Sequence, residues 1–290
     1  AAAKKIGAAT NWALGSHESL LGEVASIVEY PVVYAGEFSR DFLQVPRECL
    51  IISMQQHQKY FPLADKQGKL LPRFLFVANI RSKAPRQVIQ GNERVLRARL
   101  SDARFFYQQD HKTRLEERVP KLANVVYHNK LGSQLQRVER IQRLAGEIAR
   151  RFGAQVKTAE RAGYLCKADL LTDMVGEFPE LQGIMGCDYA LNDGEDKQVA
   201  QVISEHYLPR YAGDSLPVSA EASSVALADK LDTLVGIYGV GLVPTGDKYP
   251  FGLRRQALGV IRILMESRHL PSVDIRELLQ LARGHFPSGV

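Results

Sequence analysis

The spacing of apolar residues changes along the chain. Up to about residue 92, short apolar runs alternate with turn signals; beyond it, apolar positions recur at i, i+3 and i+4. Ser16-His17-Glu18-Ser19 can cap a helix whose Leu20, Leu21, Val24, Ile27 and Val28 fall on one face, and Pro31 stops it. Segments 32–34, 49–54, 59–63 and 74–78 read as strands, and Asp65-Lys66-Gln67-Gly68 joins the last two as a hairpin turn. The later pattern predicts helices over 95–107, 115–126, 135–152, 159–174, 198–207, 220–237 and 253–266, with Gly and Pro between them. In the last of these, Leu253, Leu258, Ile261 and Leu264 define an expected buried stripe. The expected class is α+β: an α/β segment with antiparallel strands over residues 1–110, then an all-helical domain over 111–290. There is no internal repeat and no low-complexity linker.

Composition adds bounds. A chain of 290 residues, 45% hydrophobic and 24% charged, is an ordinary globular chain with material for one or two cores. Its longest apolar stretch, 231–243, is broken by Asp232 and three glycines and is too short to span a membrane. The Ala-Ala-Ala-Lys-Lys start lacks the apolar region of a signal peptide. Cys49, Cys166 and Cys187 are odd in number, widely spaced and free of any C-x-x-C, which points away from a disulfide framework or a zinc site. A soluble, cytoplasmic protein is the expectation. The net charge of +6 permits a polyanionic partner without requiring one.

Basic residues crowd two stretches. Arg94, Arg97, Arg99 and Arg104, with Lys83 and Arg86 just before them, could form a phosphate-facing strip or a solvated helix face paired to Glu93 and Asp102. Arg255 and Arg262 recur seven residues apart beside Arg254, two helical turns or roughly 11 Å along one face. They suit phosphate, because a guanidinium donates in a planar fork and stays charged; salt bridges to Asp229 or Asp232 are the plainer reading. Phe105-Phe106-Tyr107 reads as core, since three consecutive aromatics cannot share one helix face. His57 reads as structural. Asp169, Asp173 and Glu177 would share one side of a helix, as a carboxylate cluster or as solvated charge. No Walker-type loop, nucleophile elbow or H-E-x-x-H is present.

Lys167-Ala168-Asp169-Leu170 and Ala228-Asp229-Lys230-Leu231-Asp232 resemble the two halves of an HD-type metal site, with an alanine where the histidine of the pair belongs. His128, Asp169 and Asp229 fit the remaining ligand positions. Alanine at 168 offers no lone pair, and three ligands make a poor site for a divalent ion. The expectation is therefore a vestigial, metal-free site on an HD-like helical domain. The alternative is a metal-dependent HD-type phosphohydrolase that recruits His206 or Glu177.

A wider resemblance runs through the chain in order: Val24-Ala25-Ser26-Ile27-Val28-Glu29-Tyr30-Pro31, Gln58-Lys59-Tyr60-Phe61-Pro62, Phe76-Val77-Ala78-Asn79-Ile80, Gly91-Asn92-Glu93-Arg94-Val95, Lys130-Leu131-Gly132-Ser133, Gly183-Ile184-Met185-Gly186, the two acidic motifs above, and Arg254-Arg255-Gln256-Ala257-Leu258-Gly259. These phrases resemble the β-subunit of the bacterial-type heterotetrameric glycyl-tRNA synthetase. That subunit is much longer, so the chain looks like an internal fragment without an N-terminal portion and a C-terminal anticodon-binding domain. The resemblance implies an α2β2 enzyme in which the α-subunit activates glycine with ATP and Mg2+ and the β-subunit supports recognition of tRNA(Gly) and assembly. It also implies an α/β part similar to editing modules, and no catalytic residue or cofactor in this fragment. Arg254, Arg255, Arg262, Arg94 and Arg97 are then the candidate RNA contacts.

Overall fold

The computed structural model describes residues 13–14, 18–243 and 250–287. The chain divides into two compact units, Ala1–Asp110 and His111–Val290.

In the first unit, β1 (Ala13–Leu14), β2 (Val32–Glu37), β3 (Phe61–Ala64) and β4 (Leu70–Ala78) form one antiparallel sheet in the order β1-β3-β4-β2. The expected hairpin forms. Asp65 Oδ1 accepts the N–H groups of Gln67 and Lys69, both at 2.9 Å, and Gly68 takes the positive φ of 79° the turn needs. Helix α1 (Glu18–Ile27) places Leu20 and Val24 against Phe61, Leu63 and Leu75. Its expected cap at Ser16 and His17 lies outside the described residues.

Segment 49–54 is a helix, not the expected strand. It lies within α2 (Arg47–Gln58), where Cys49, Leu50, Ser53 and Met54 are buried at helical spacing. A short apolar run fits either period, and here the one-sided burial decides it. Helix α3 (Pro85–Asp110) buries Leu96, Leu100 and Ala103 along one side. It is tied to other elements by the hydrogen bond from Tyr60 Oη to Asn92 Oδ1 (2.6 Å) and from the Glu37 N–H to Glu93 Oε1 (2.9 Å). Phe105 is exposed rather than core.

The second unit is a pile of helices. Its first turn is α4 (Leu115–Arg118), which passes into a 3-10 segment (Val119–Asn124) with a proline at its start, then into β5 (Val126–His128) and β6 (Gly132–Ser133). This antiparallel pair corrects the all-helical expectation. His128 to Leu131 form a reverse turn in which the Leu131 N–H donates to the His128 carbonyl (2.9 Å), and Gly132, at the start of β6, takes a φ of 86°. Helix α5 (Gln134–Phe152) starts at a capping box of Ser133 and Gln136 and ends at Gly153 in the left-handed region.

The expected 159–174 helix is divided. Helix α6 (Val156–Leu165) stops, Ala168–Leu171 form a 3-10 turn, and Thr172 caps the short α7 (Asp173–Glu177). Helices α8 (Ile184–Asn192), α9 (Lys197–Glu205), α10 (Ala220–Gly239), α11 (Leu253–Glu266) and α12 (Ile275–Gly284) follow. Helix α10 is central: it packs on α5, α6, α9, α11 and α12, and 16 of its 20 residues are buried. Its alanines, serines and glycines let neighbours approach closely on every side. Helix α11 forms as expected but is rotated: Leu253, Val260 and Ile263 face inward, while Leu258 and Ile261 are exposed.

Candidate functional site

Two helices match their charges in register inside the second unit. Asp229 and Asp232, three apart on α10, face Arg137 and Arg140, three apart on α5. Arg137 Nη2 lies 2.8 Å from Asp229 Oδ1 and 2.9 Å from Thr233 Oγ1. Arg140 grips Asp232 with two bonds, Nε to Oδ1 at 2.6 Å and Nη2 to Oδ2 at 3.2 Å. Residues at i and i+3 share a helix side, so matching pairs can register where two helices pack. The Arg137 guanidinium also lies 4.3 Å above the Tyr127 ring.

Lys167 closes the cluster. Its Nζ, delivered from the break between α6 and the 3-10 turn, sits 3.1 Å from Asp229 Oδ2 and 2.8 Å from His206 Nε2, and 3.9 Å above the Tyr207 ring. His206 Nδ1 meets the Ile203 carbonyl, which fixes the tautomer: Nδ1 carries the proton and Nε2 accepts from the ammonium.

Burial would raise the Asp229 pKa, but Lys167 and Arg137 outweigh it and hold the carboxylate well below its usual range. Burial, with Lys167 adding to it, pushes the His206 pKa well below 6.5, so this imidazole is neutral. Burial likewise lowers Lys230, whose Nζ donates to the Tyr207 carbonyl, to about 8. Lys167 and Arg137 therefore both address Asp229, while Asp232 is gripped by Arg140 and also lies 3.6 Å from Arg137 Nε.

These residues do not fit a divalent metal. Asp229 is committed to an ammonium and a guanidinium. Asp169 is fully buried but turned away into structure: its Oδ2 accepts the N–H groups of Gly183 (2.6 Å) and Gly186 (3.2 Å) at the start of α8. His128 Nδ1 accepts the Lys130 N–H at 3.2 Å, and its ring lies against Phe251. Among the described residues no group of three or more His, Cys, Asp or Glu is placed to hold a metal ion. The residues a hydrolase would recruit do not supply one either, since His206 is bonded to Lys167 and Glu177 is exposed on α7. Asp169 and Asp173 do not share a helix, because the 3-10 turn and Thr172 separate them.

The arginines fall into two kinds. Arg94 and Arg97 on α3 and Arg254 and Arg255 on α11 are exposed, with no ion-pair partner among the described residues. Arg262 is instead held by Glu266 (3.0 Å) and by the Asp214 carbonyl (3.1 Å), not by the expected Asp229 or Asp232. Arg104 lies 5.0 Å over the Phe42 ring.

A family model for the glycyl-tRNA synthetase beta subunit matches residues 1–288. The glycine–tRNA ligase beta subunit of Neisseria gonorrhoeae (strain ATCC 700825 / FA 1090) is 58% identical over 280 residues, covering 97% of this chain and 40% of that protein. That of Aromatoleum aromaticum is 61% identical over 277 residues, covering 96% and 40%. The chain thus spans about two fifths of the length of these curated relatives. Among solved structures, the HD domain of the L. monocytogenes phosphodiesterase PgpH in complex with cyclic-di-AMP aligns with a TM-score of 0.36 at 14% identity, over 59% of this chain and 92% of that one.

Proposed function

The chain belongs to the glycyl-tRNA synthetase beta-subunit family, and from that premise we propose that it supports recognition of tRNA(Gly) and assembly with the α-subunit in the ATP-dependent attachment of glycine to tRNA. In this reading the glycyl adenylate forms on the α-subunit, which holds ATP and Mg2+, and the enzyme works in the cytoplasm. Among the described residues no helix is long and apolar enough to cross a membrane.

The observation that carries the tRNA reading is the pair Arg254 and Arg255, exposed at the start of α11 with no ion-pair partner among the described residues. Arg94 and Arg97 repeat the pattern on α3. A guanidinium that is not held by a carboxylate keeps its full fork for phosphate and releases counterions on binding. Arg262, gripped by Glu266, is the weaker candidate of the set.

The test is tRNA(Gly) binding by the complete α2β2 enzyme across a salt series. Arg254→Ala/Arg255→Ala and Arg94→Ala/Arg97→Ala should each weaken binding and reduce the salt slope by about 1 for every phosphate left unneutralised. Glycine-dependent pyrophosphate exchange by the complete enzyme should stay unchanged, and the isolated chain should show none. An unaltered salt slope in both double variants would remove these arginines from the interface.

A further inference from the structure

A cavity of about 240 Å³ lies between the 209–212 segment and α11, and none of the acidic motif residues lines it. Pro209, Tyr211, Ala212 and Leu258 give it an apolar wall, and Arg210, Arg255 and Arg262 stand around it. Gly259 lets the two sides approach: a Cβ there would stand 2.7 Å from Lys230 Cε and 3.7 Å from Pro209 Cγ. The segment is tied in place before any ligand arrives. Asp214 Oδ2 accepts the N–H (2.8 Å) and Nε (3.1 Å) of Arg210, and the Asp214 carbonyl accepts from Arg262 Nη1 at 3.1 Å. Yet Tyr211 is 60% exposed and Leu258 50%, so an aromatic and an aliphatic side chain are held toward solvent at one spot.

The chemistry of the wall narrows what fills it. Arg210 is matched by Asp214 and Arg262 by Glu266, which leaves in excess the single positive charge of Arg255, without an ion-pair partner among the described residues. A phosphodiester carries one negative charge and balances it, whereas the terminal phosphate of a free nucleotide carries nearly two at neutral pH. A bare anion has no use for the apolar wall. A planar base does, because it can stack on the Tyr211 ring, beside which the Arg210 guanidinium lies 6.0 Å from the ring centroid. Bases inside a duplex are already stacked and offer no free face, so the occupant is an unpaired nucleotide.

We propose that this pocket captures one unpaired nucleotide of the bound tRNA, its base stacked on Tyr211 beside Pro209 and Leu258 and its phosphodiester held by Arg255. The site rests on the tRNA reading above and adds a contact with a base to those with phosphate.

tRNA(Gly) binding by the complete α2β2 enzyme across a salt series tests it. Tyr211→Ala should weaken binding about tenfold, the loss of one stacked base, with the salt slope unchanged because no charge is removed. Tyr211→Phe keeps the ring and should bind as the parent does. The side chain is largely exposed, so both variants should keep the parent's unfolding temperature. Free 5′-CMP at the concentration of the tRNA should displace none of it. Undiminished binding by Tyr211→Ala, an equal loss in Tyr211→Phe, or displacement of tRNA by 5′-CMP would each overturn the pocket. If Arg254→Ala/Arg255→Ala lowers the salt slope while Tyr211→Ala binds like the parent, the tRNA reading stands and the pocket alone falls. An unaltered slope in the arginine variants removes the phosphate contacts, and the pocket falls with them.

Discussion

Asp229 and Asp169 are both buried carboxyls, and their surroundings drive them in opposite directions. Asp169 lacks a cationic partner at bonding distance. Burial, opposed by the Gly183 and Gly186 N–H groups, lifts it to about 6, and its Oδ1 has no hydrogen-bond partner. Because that value exceeds the 3.8 of an ordinary aspartate, the group favours the folded state most below about pH 4 and loses that contribution as pH climbs through 6. Asp169→Asn should therefore raise the unfolding temperature at pH 7, by up to about 3 kcal/mol in stability, and flatten its dependence between pH 4 and 7. Asn still accepts the two N–H groups, whereas Asp169→Ala strands them and should destabilise at every pH. Thermal unfolding of both variants across that range checks the sign. Asp229 has the opposite slope: its depressed pKa gives stability that is present above about pH 4 and lost as the solution is acidified further. Asp229→Asn leaves Lys167 and Arg137 facing each other without their counter-charge and should cost about 3–5 kcal/mol in urea unfolding at pH 7.

At the scale of elements, α5 and α6 approach closely at Gly163, where a Cβ would stand 3.0 Å from Gln142 Cα and 3.4 Å from its nitrogen. Both are backbone atoms that cannot turn aside. Gly163→Ala should thus destabilise by about 1–3 kcal/mol despite alanine's better helix propensity, as chemical denaturation would show. Much of this layer was legible in sequence. The α1 stripe, the hairpin at Asp65 to Gly68 and helices α5, α9, α10 and α11 follow from period and turn chemistry. What misled was short-range: the run at 49–54 suits two periods, Pro120 and the strand at Val126–His128 cut short the helical stripe expected over 115–126, and α11 turns Leu258 outward because neighbouring helices select its inner face. The acidic motifs at 169 and 229 were visible, but not their partners. Arg137 and Arg140 come from α5, Lys167 from the break after α6 and His206 from the end of α9, and no local pattern states which of them will meet. One signal was available: Arg-x-x-Arg at 137 and 140 has the same spacing as Asp-x-x-Asp at 229 and 232, as registered ion pairs between two helices require.

For the molecule as a whole, each unit closes a core of its own. The first gathers Leu20, Val24, Phe61, Leu63 and Leu75, and the second encloses α10. Residues 111–290 expressed separately should accordingly fold, with native helix content by circular dichroism and a single cooperative transition. A chain that unfolds gradually would show that its core needs residues from elsewhere. Within that unit α10 is sheathed by five other helices, and its polar side chains tie it outward: Asp229 to Arg137 and Lys167, Asp232 to Arg140, and Lys230 to the Tyr207 carbonyl. No single neighbour can lift away and wet it. Its amide protons, from Val225 to Leu234, should be the last in the unit to exchange with deuterium, and at a rate that reports opening of the entire unit instead of fraying at any one helix.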